Sequence, residues 1–484
     1  MKKATLLTCL IICLTKLSLS AQQWISKDYS YDSLLNVTYG NAVNFNGGID
    51  TLKMDIYTPI CDDSLMISRR PLMMIIHGGA FLAGDKSDAS ITNMCKQFAK
   101  RGYVTASISY RLGMVSDDNQ WSCNYPNYSC VFATDSAEWY RALYRGIQDG
   151  KGALRYLINR NQTYRIDTNN VFVVGESAGA LISLGIAFLD TITEKYPQAF
   201  AIANAPNPHS STLSCQHNVG KTFTNPSIAR PDLGSIDGTI EPSTIKYQIK
   251  GIGNIYGAMM SNLLKESKSN TAKPAIFSFH QPCDLVVPFD SGKVFKGLSW
   301  CMTNGYNCYA ISNVPKLYGS KTISDWNTNF SYGYNIHDEF TSTTFPYNFL
   351  FGAGSCTDQI NNPCHAYDNA TLRQNNMANF FASLITTNPI CIANYTPNSI
   401  DGKLISNSIN LYPNPFTNQI NIELDNFANA QVNIVNLYGQ NIYNGTISQG
   451  KNTLSLPGSL AKGVYYIKVS INEYTITKMV IKSN

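Results

Sequence analysis

Apolar and polar positions follow two regimes along the chain. Between about residues 51 and 385, short apolar runs alternate with stretches of helical spacing. Thr51 to Tyr57 sets Leu52, Met54 and Ile56 against Lys53, Asp55 and Tyr57, which predicts a half-exposed strand. Pro71 to Ile76 is a solid apolar run leading into His77-Gly78-Gly79-Ala80-Phe81. Val104 to Tyr110 is another, ending at Arg111, and Ala275 to His280 runs into Gln281-Pro282-Cys283-Asp284. Ala199 to Ala205 and Asn348 to Phe351 predict two further strands, with a polar, Pro-containing segment from the first of these to about Gly253. Asp135 to Asn161 predicts a long helix broken near Gly150 and Gly152, and Thr371 to Ile385 a closing helix. Gln22 to Gly48 is Asn-rich and predicts entry strands with a turn at Asn46-Gly47-Gly48. Ser116 to Thr134 and Lys296 to Pro346 interrupt the rhythm as polar, aromatic-rich insertions, the second expected to cap the fold. Nearly continuous apolar strands alternating with helices predict an α/β domain, a doubly wound and mostly parallel sheet covered on both faces.

The second regime follows a linker-like stretch, residues 388–407. Residues 408–484 contain no clear helix but short strands at Ile420 to Leu424, Gln431 to Asn436, Thr453 to Leu456, Val464 to Ser470 and Thr475 to Ile481. Turn residues separate them at sandwich-like spacing, which predicts a small all-β sandwich. The expected organisation is a leader over 1–21, a main domain over 22–387, the linker, and the β-domain. No internal repeat is visible.

Composition supports the division and narrows it. With 44% apolar and 14% charged residues among 484, the chain can bury a large core. Met1-Lys2-Lys3, the apolar run Ala4 to Leu19 and small residues around Ser18 to Ala21 predict a secretory signal peptide. No later run is long enough to span a bilayer, so no transmembrane segment is expected. Removing residues 1–21 takes away Lys2, Lys3 and Lys16 and no acid, leaving 34 basic against 32 acidic residues. That neutral balance excludes a polybasic face, and nucleic acid is not an expected partner. Eleven of the 13 cysteines remain after that removal, and in an exported chain they are expected to be bridged rather than metal-bound. Cys123/Cys130, Cys301/Cys308 and Cys356/Cys364 predict local loop bridges, and Cys95, in a helical stretch, the free and buried thiol.

The chemistry concentrates at Val171 to Val174, a buried strand, followed by Gly175-Glu176-Ser177-Ala178-Gly179 and an apolar helix from Ala180 to Leu189. A Ser between glycines at a strand-to-helix corner is a nucleophile elbow, in which small neighbours let strand and helix approach. The pattern alone arises by chance in about 1 chain in 7 of this length, so its weight comes from the flanking elements. Gly78-Gly79-Ala80 at a strand end is either a tight turn or, beside such an elbow, an oxyanion site. There backbone N–H groups of the loop, together with that of Ala178, would face a tetrahedral intermediate.

An activated Ser needs an imidazole, and the imidazole an orienting carboxylate, in the chain order Ser, acid, His. Asp284, just past a strand end, fits the acid, although a satisfied loop carboxylate would look the same. Of the six histidines only His337 and His365 lie beyond it. His365 is favoured because it sits in a loop before the last helix, and a Cys356–Cys364 bridge would hold it. His77 and His280 are expected to hydrogen-bond the loops around the site. Glu176 either orients water or a loop, or is a solvated or core-paired glutamate. Arg111 is expected to pair with a helix carboxylate such as Asp149. No metal or organic cofactor is implied.

Leu52-Lys53-Met54-Asp55-Ile56-Tyr57-Thr58-Pro59, His77-Gly78-Gly79-Ala80-Phe81, Ile108-Ser109-Tyr110-Arg111-Leu112 and Gly175-Glu176-Ser177-Ala178-Gly179 together resemble the α/β-hydrolase carboxylesterase/lipase family. The resemblance covers most of Thr51 to Ile385. It implies Ser177 as nucleophile and Gly79, Ala80 and Ala178 as oxyanion donors, while Asp284 and His365 match by position. Cys283 beside the acid and the insertions depart from the family pattern. Leu411-Tyr412-Pro413-Asn414-Pro415-Phe416, Gly463-Val464-Tyr465-Tyr466-Ile467 and Lys478-Met479-Val480-Ile481-Lys482 resemble the C-terminal sorting domain of type IX secretion. That resemblance implies outer-membrane secretion machinery as a partner and a secreted or cell-surface destination. A carbohydrate- or surface-binding module is the plainer reading of the tail. The expectation is a secreted serine esterase for a small-molecule, glycan or lipid ester. A catalytically inactive adhesion protein on this fold and a serine peptidase are the alternatives.

Overall fold

The computed structural model describes residues 23–61, 69–114, 136–203, 229–265, 273–295, 314–341, 364–385, 409–436, 440–471 and 474–483. The chain divides into two compact units, Met1–Ala393 and Asn394–Asn484.

The strands of the first unit's main sheet are β1 (Tyr31–Val43), β2 (Ile49–Pro59), β3 (Arg70–Ile76), β4 (Val104–Ile108), β5 (Ile166–Glu176), β6 (Ile249–Ile255), β7 (Ala275–Phe279) and β8 (Ile336–Glu339). Their spatial order is β1-β2-β4-β3-β5-β6-β7-β8. β1 with β2 and β2 with β4 run antiparallel; every other neighbouring pair is parallel. The helices α1 (Ala89–Ala99), α2 (Ser136–Asn159), α3 (Ala178–Phe188) and α4 (Ser320–Asn329) lie between them in the chain, and α5 (Ala370–Leu384) follows the last strand.

Side-chain alternation explains the continuous apolar runs. Leu72, Met74 and Ile76 of β3 join Val171 and Val173 of β5 in one core with α2 and α3. Met73 and Ile75, with Phe172 and Val174, join the other core, closed by Phe98 of α1 and Phe381 of α5. Both faces of the central strands are therefore dry, as a parallel sheet between two helical layers requires.

Several expectations need correction. Helix α2 runs unbroken for 24 residues through Gly150 and Gly152. Its glycines serve close packing: a Cβ on Gly146 would lie 2.6 Å from Ile182 Cδ1, and one on Gly150 would collide with Ile186, both on α3. Among the described residues 199–203, the strand expected over Ala199 to Ala205 does not form. Residues Pro197–Ala199 are a 3₁₀ turn and Ile202 makes a single bridge to Arg230. The strand that follows α3 in the sheet is β6, inside the segment expected to be polar and irregular. Its Gly251 and Gly253 hide the apolar signal, yet a Cβ on Gly253 would lie 2.7 Å from Val174 Cγ1 and one on Gly251 3.0 Å from Phe172 and Phe381. The chain also forms α4 and β8 within the stretch expected only to cap. Residues 348–351 lie outside the described residues.

Cysteine pairing needs correction as well. Cys364 is bonded not to Cys356 but to Cys283, 81 residues away, with Cα atoms 5.7 Å apart. The sheet brings the end of β7 beside the loop that precedes α5, so spatial rather than sequence proximity decides the partner. Cys95 is a free, fully buried thiol on α1. The expected Cys123/Cys130 and Cys301/Cys308 bridges lie outside the described residues.

The second unit is all-β and antiparallel. Its strands are β9 (Ile409–Tyr412), β10 (Gln419–Asn436), β11 (Asn441–Ser455), β12 (Gly463–Ile471) and β13 (Tyr474–Lys482). The long β10 shifts register between Leu424 and Asn429, pairing with β9 before the shift, β12 after it, and β11 on both sides. Ile420, Ile422 and Leu424 from one half of β10 and Val432 and Ile434 from the other share one buried cluster with Ile467, Val469 and Val480. Alternating burial on each strand supplies that core.

Candidate active site

The site lies where the carboxyl ends of the parallel strands meet the following loops. β5 ends at Glu176 and α3 begins at Ala178, leaving Ser177 alone at the corner with φ 54° and ψ −123°. Holding a non-glycine residue there costs about 1–3 kcal/mol. The flanking glycines make the corner sterically feasible: a Cβ on Gly175 would run into the carbonyl of Gly179, and one on Gly179 into the carbonyls of Ile76 and His77. The Ser177 N–H donates to the Ile255 carbonyl at the end of β6 at 3.0 Å, which ties the corner to the neighbouring strand.

Asp284 sits in the turn after β7, where its N–H donates to the Gln281 carbonyl at 3.0 Å. Its Oδ1 accepts the N–H groups of Val286 and Val287 at 2.8 and 3.0 Å. Its Oδ2 faces two imidazoles, His365 Nδ1 at 2.7 Å and His280 Nε2 at 3.1 Å. Burial pushes the Asp284 carboxyl upward, but attraction to His365 and the hydrogen bonds from His280 and His365 outweigh it and leave the group below its ordinary value. The other ring nitrogen of His365, Nε2, lies 2.9 Å from Ser177 Oγ. Asp284, His365 and Ser177 thus form one unbroken series, although Ser177 and His365 are 188 residues apart. The tautomer consistent with all partners has His365 donating from Nδ1 and accepting from the Ser177 hydroxyl at Nε2.

The loop after β3 faces this series from the other side. Gly79, Ala80 and Phe81 all have positive φ, at 96°, 54° and 63°. The Gly79 carbonyl accepts the N–H groups of Leu82 and Ala83, so the loop curls on itself. Among the described residues the N–H groups of Gly79, Ala80 and Ala178 have no backbone acceptor. Gly78 is the contact point with the elbow, since a Cβ there would lie 3.1 Å from Ser177 Cβ. His77 underpins the loop: its ring stacks on Tyr110 at 4.4 Å and its Nδ1 lies 2.8 Å from the Gly78 carbonyl. Burial holds the His77 ring below its ordinary pKa, and the Tyr110 hydroxyl donates to the Gly78 carbonyl at 3.1 Å.

Other expected residues separate into neighbours and bystanders. Glu176 is half-buried, and its carboxylate accepts Ser90 Oγ at 2.9 Å and the Tyr256 hydroxyl at 3.0 Å. Burial raises its pKa despite those two donors. The Tyr256 ring in turn meets His365 edge-on at 4.5 Å. Tyr256 gave no sequence signal, because nothing marked β6 as a strand. His280 also reaches Ser320 Oγ at 2.9 Å. His337 stands on β8, stacked on Phe277 and 3.6 Å from Glu339, outside the series. His209 and His217 lie outside the described residues. Arg111 pairs with the buried Asp149 at 2.7 Å, the structural link expected of it. Among the described residues no group of three or more His, Cys, Asp or Glu is arranged to hold a metal.

The strand order, the strained Ser corner and the glycine loop at the sheet's carboxyl edge define an α/β-hydrolase fold. Residues 54–125 and 136–215 match the family model described as BD-FAE. Residues 410–483 match the one described as secretion system C-terminal sorting domain. The chain therefore carries a match to an esterase-family model followed by a match to a secretion-sorting model. A probable isoprenylcysteine alpha-carbonyl methylesterase of Arabidopsis thaliana is 24% identical over 285 residues, 58% of this chain and 56% of the relative. Gut esterase 1 of Caenorhabditis elegans is 25% identical over 133 residues, 28% of this chain and 20% of the relative. The chain spans about half the length of the plant relative and less of the nematode one. A truncated carbohydrate esterase from gut microbiota aligns over 75% of this chain and 99% of its own, with 16% identity and a TM-score of 0.37. Among the described residues no helix is long and apolar enough to cross a membrane.

Proposed function

We propose that the first unit is a serine carboxylic-ester hydrolase working through an acyl-enzyme on Ser177, and that the second carries it to the cell surface or beyond. His365 takes the proton from Ser177 as Oγ attacks the ester carbonyl, and Asp284 holds the imidazole in the required tautomer and steadies the imidazolium. The N–H groups of Gly79, Ala80 and Ala178 receive the oxyanion, a role supported by their having no backbone acceptor among the described residues. His365 then protonates the leaving alcohol and activates the water that releases the acid. The observation carrying this reading is the Asp284–His365–Ser177 series at 2.7 and 2.9 Å. The BD-FAE match supports an ester as substrate, and the relatives named for esterase activity point the same way.

Export is read from the tail match together with the signal-like start at residues 1–21. The partner implied is the outer-membrane secretion machinery. Ser177→Ala tests the chemistry: the purified variant should keep its fold and lose both hydrolysis of short activated esters and labelling by a fluorophosphonate. Labelling without ester turnover but with peptide cleavage would favour a peptidase, and absence of both from the unmodified protein an inactive binding protein.

A further inference from the structure

Two segments far apart in sequence hold the acid and the base, and the structure couples them covalently at one point. Cys283 immediately precedes Asp284, Cys364 immediately precedes His365, and the two cysteines are bonded to each other. A second contact runs beside the bridge: Gln281 Nε2 donates to the Ala366 carbonyl at 2.9 Å, just past His365. The base is therefore held on both sides by the turn that carries the acid. Cys364 itself has φ 57°, a conformation an unrestrained cysteine rarely adopts and one that sets the direction in which the next side chain leaves the loop. His365 must satisfy Asp284 at 2.7 Å through one nitrogen and Ser177 at 2.9 Å through the other, so small rotations of that loop break one contact or both.

We propose that the Cys283–Cys364 disulfide is a positioning element of the active site, fixing His365 between Asp284 and Ser177, so that hydrolysis depends on its being closed. The inference rests on the serine-hydrolase reading above. It gives the bridge a role in the rate of the chemical step and not only in stability. Cys364 is almost wholly buried, whereas Cys283 is only half-buried, so the bond is approached from the Cys283 side. It also ties activity to redox state: with the two cysteines as thiols the base is loosely held, and thiol–disulfide exchange with a disulfide-bearing oxidant, which takes up their two electrons and two protons, completes the site.

The test uses the full chain with the Cys283→Ser/Cys364→Ser double substitution. Active sites are titrated with a fluorophosphonate, and kcat and KM are measured on p-nitrophenyl acetate. Loosening the base by about 1 Å predicts a 10- to 100-fold fall in kcat per titrated site with KM within about 2-fold, and slower fluorophosphonate labelling. A bridge that only stabilises would lower Tm and leave kcat per titrated site unchanged; that result overturns the proposal. Should the double variant not fold, the native protein is treated with tris(2-carboxyethyl)phosphine. This transfers two electrons to the S–S bond, water supplying the oxygen of the phosphine oxide and the protons of the two thiols, and peptide mass spectrometry identifies opened bridges. Loss of activity that tracks opening of Cys283–Cys364 and returns on reoxidation supports the proposal, and full activity with that bridge open refutes it. Ser177→Ala run in parallel separates the two levels of inference. If it still hydrolyses the ester, the serine-hydrolase reading fails, whereas Ser177-dependent hydrolysis indifferent to the bridge removes only the positioning role.

Discussion

Replacing Asp284 by Asn isolates what the carboxylate does for His365, because the substitution is nearly isosteric and most of its contacts can survive. Oδ1 accepts two backbone N–H groups, so the Asn oxygen stays there and the amide nitrogen takes the place of Oδ2. That nitrogen then faces His365 Nδ1 and His280 Nε2, where an acceptor stood before. The ring of His365 answers by moving its proton to Nε2, and a protonated Nε2 cannot take a proton from Ser177. The charge lost is also large. A carboxylate 2.7 Å from an imidazolium contributes about 6 kcal/mol at an effective dielectric constant of about 20, and the side chain of Asp284 is fully buried. An amide dipole and nearby water keep part of this, which leaves about 4–5 kcal/mol, or about 10³–10⁴ in kcat. KM should change little, since Asp284 sits behind the imidazole. The assay is initial-rate hydrolysis of p-nitrophenyl acetate by protein shown to be folded by circular dichroism. A folded Asp284→Asn variant within tenfold of the parent rate would refute the orienting role.

Three further outcomes follow from the packing and the charges. Gly179→Ala places a methyl against the carbonyls of Ile76 and His77, which are backbone and cannot swing away, so a loss of about 3 kcal/mol or more is expected. Gly450→Ala, with φ 91° and open space around it, should cost only about 1–2 kcal/mol; equal melting shifts of the two variants would contradict this. Arg111→Met strands the buried Asp149 charge and should cost about 3–5 kcal/mol in urea titration, while Arg111→Met/Asp149→Leu should recover more than half. A double variant less stable than the single would show that the bond Asp149 accepts from the Arg111 backbone N–H at 2.8 Å, which the single keeps, outweighs the stranded charge. Glu176 has a folded pKa above its ordinary 4.5, so the folded state holds this proton more tightly than the unfolded one. The cost of charging it is absent below pH 4.5 and grows as pH rises through the folded value. Glu176→Gln should therefore gain in Tm relative to the parent at pH 8 and lose that gain at pH 4; a pH-independent difference would refute the burial cause.

How much of this was legible in the sequence depended on what each element buries. β3, β4, β5 and β7 bury both faces, so their runs of Leu, Met, Ile, Val and Phe stand out. β6 is equally buried over most of its length, but the room beside Val174 and Phe381 admits only glycine at two positions, and composition then reads as a loop. β8 (Ile-His-Asp-Glu) pairs on one side only and exposes its middle residues, so no periodicity marks it. α4 buries just Ser320 and Ile323, and its polar sequence looks like the insertion around it. Misreading the glycines of α2 as breaks has the same origin: tertiary packing chose a small residue, and a local reading took it for a flexible one.

The site divides along the same line. Ser177 and the Gly78-Gly79-Ala80 loop are legible because the geometry demands particular residue types within a few positions. Asp284 and His365 leave no such local trace, since each needs only to follow some strand or precede some helix. Chain order narrows the choice to His337 and His365, a place in the loop before the last helix favours His365, and the fold decides: His337 rides on an edge strand with its ring on Phe277, while His365 meets both partners. What holds His365 there is less legible still. A bridge between cysteines 81 residues apart cannot be told from a local one by spacing, and the nearby Cys356 made the local reading the natural one. Yet the placement of the pair, each cysteine one residue before a member of the series, becomes informative once Asp284 and His365 are both suspected. One-residue offsets of this kind make the bridge a constraint on the acid–base distance itself, and that is why opening it should register in kcat before it registers in the fold.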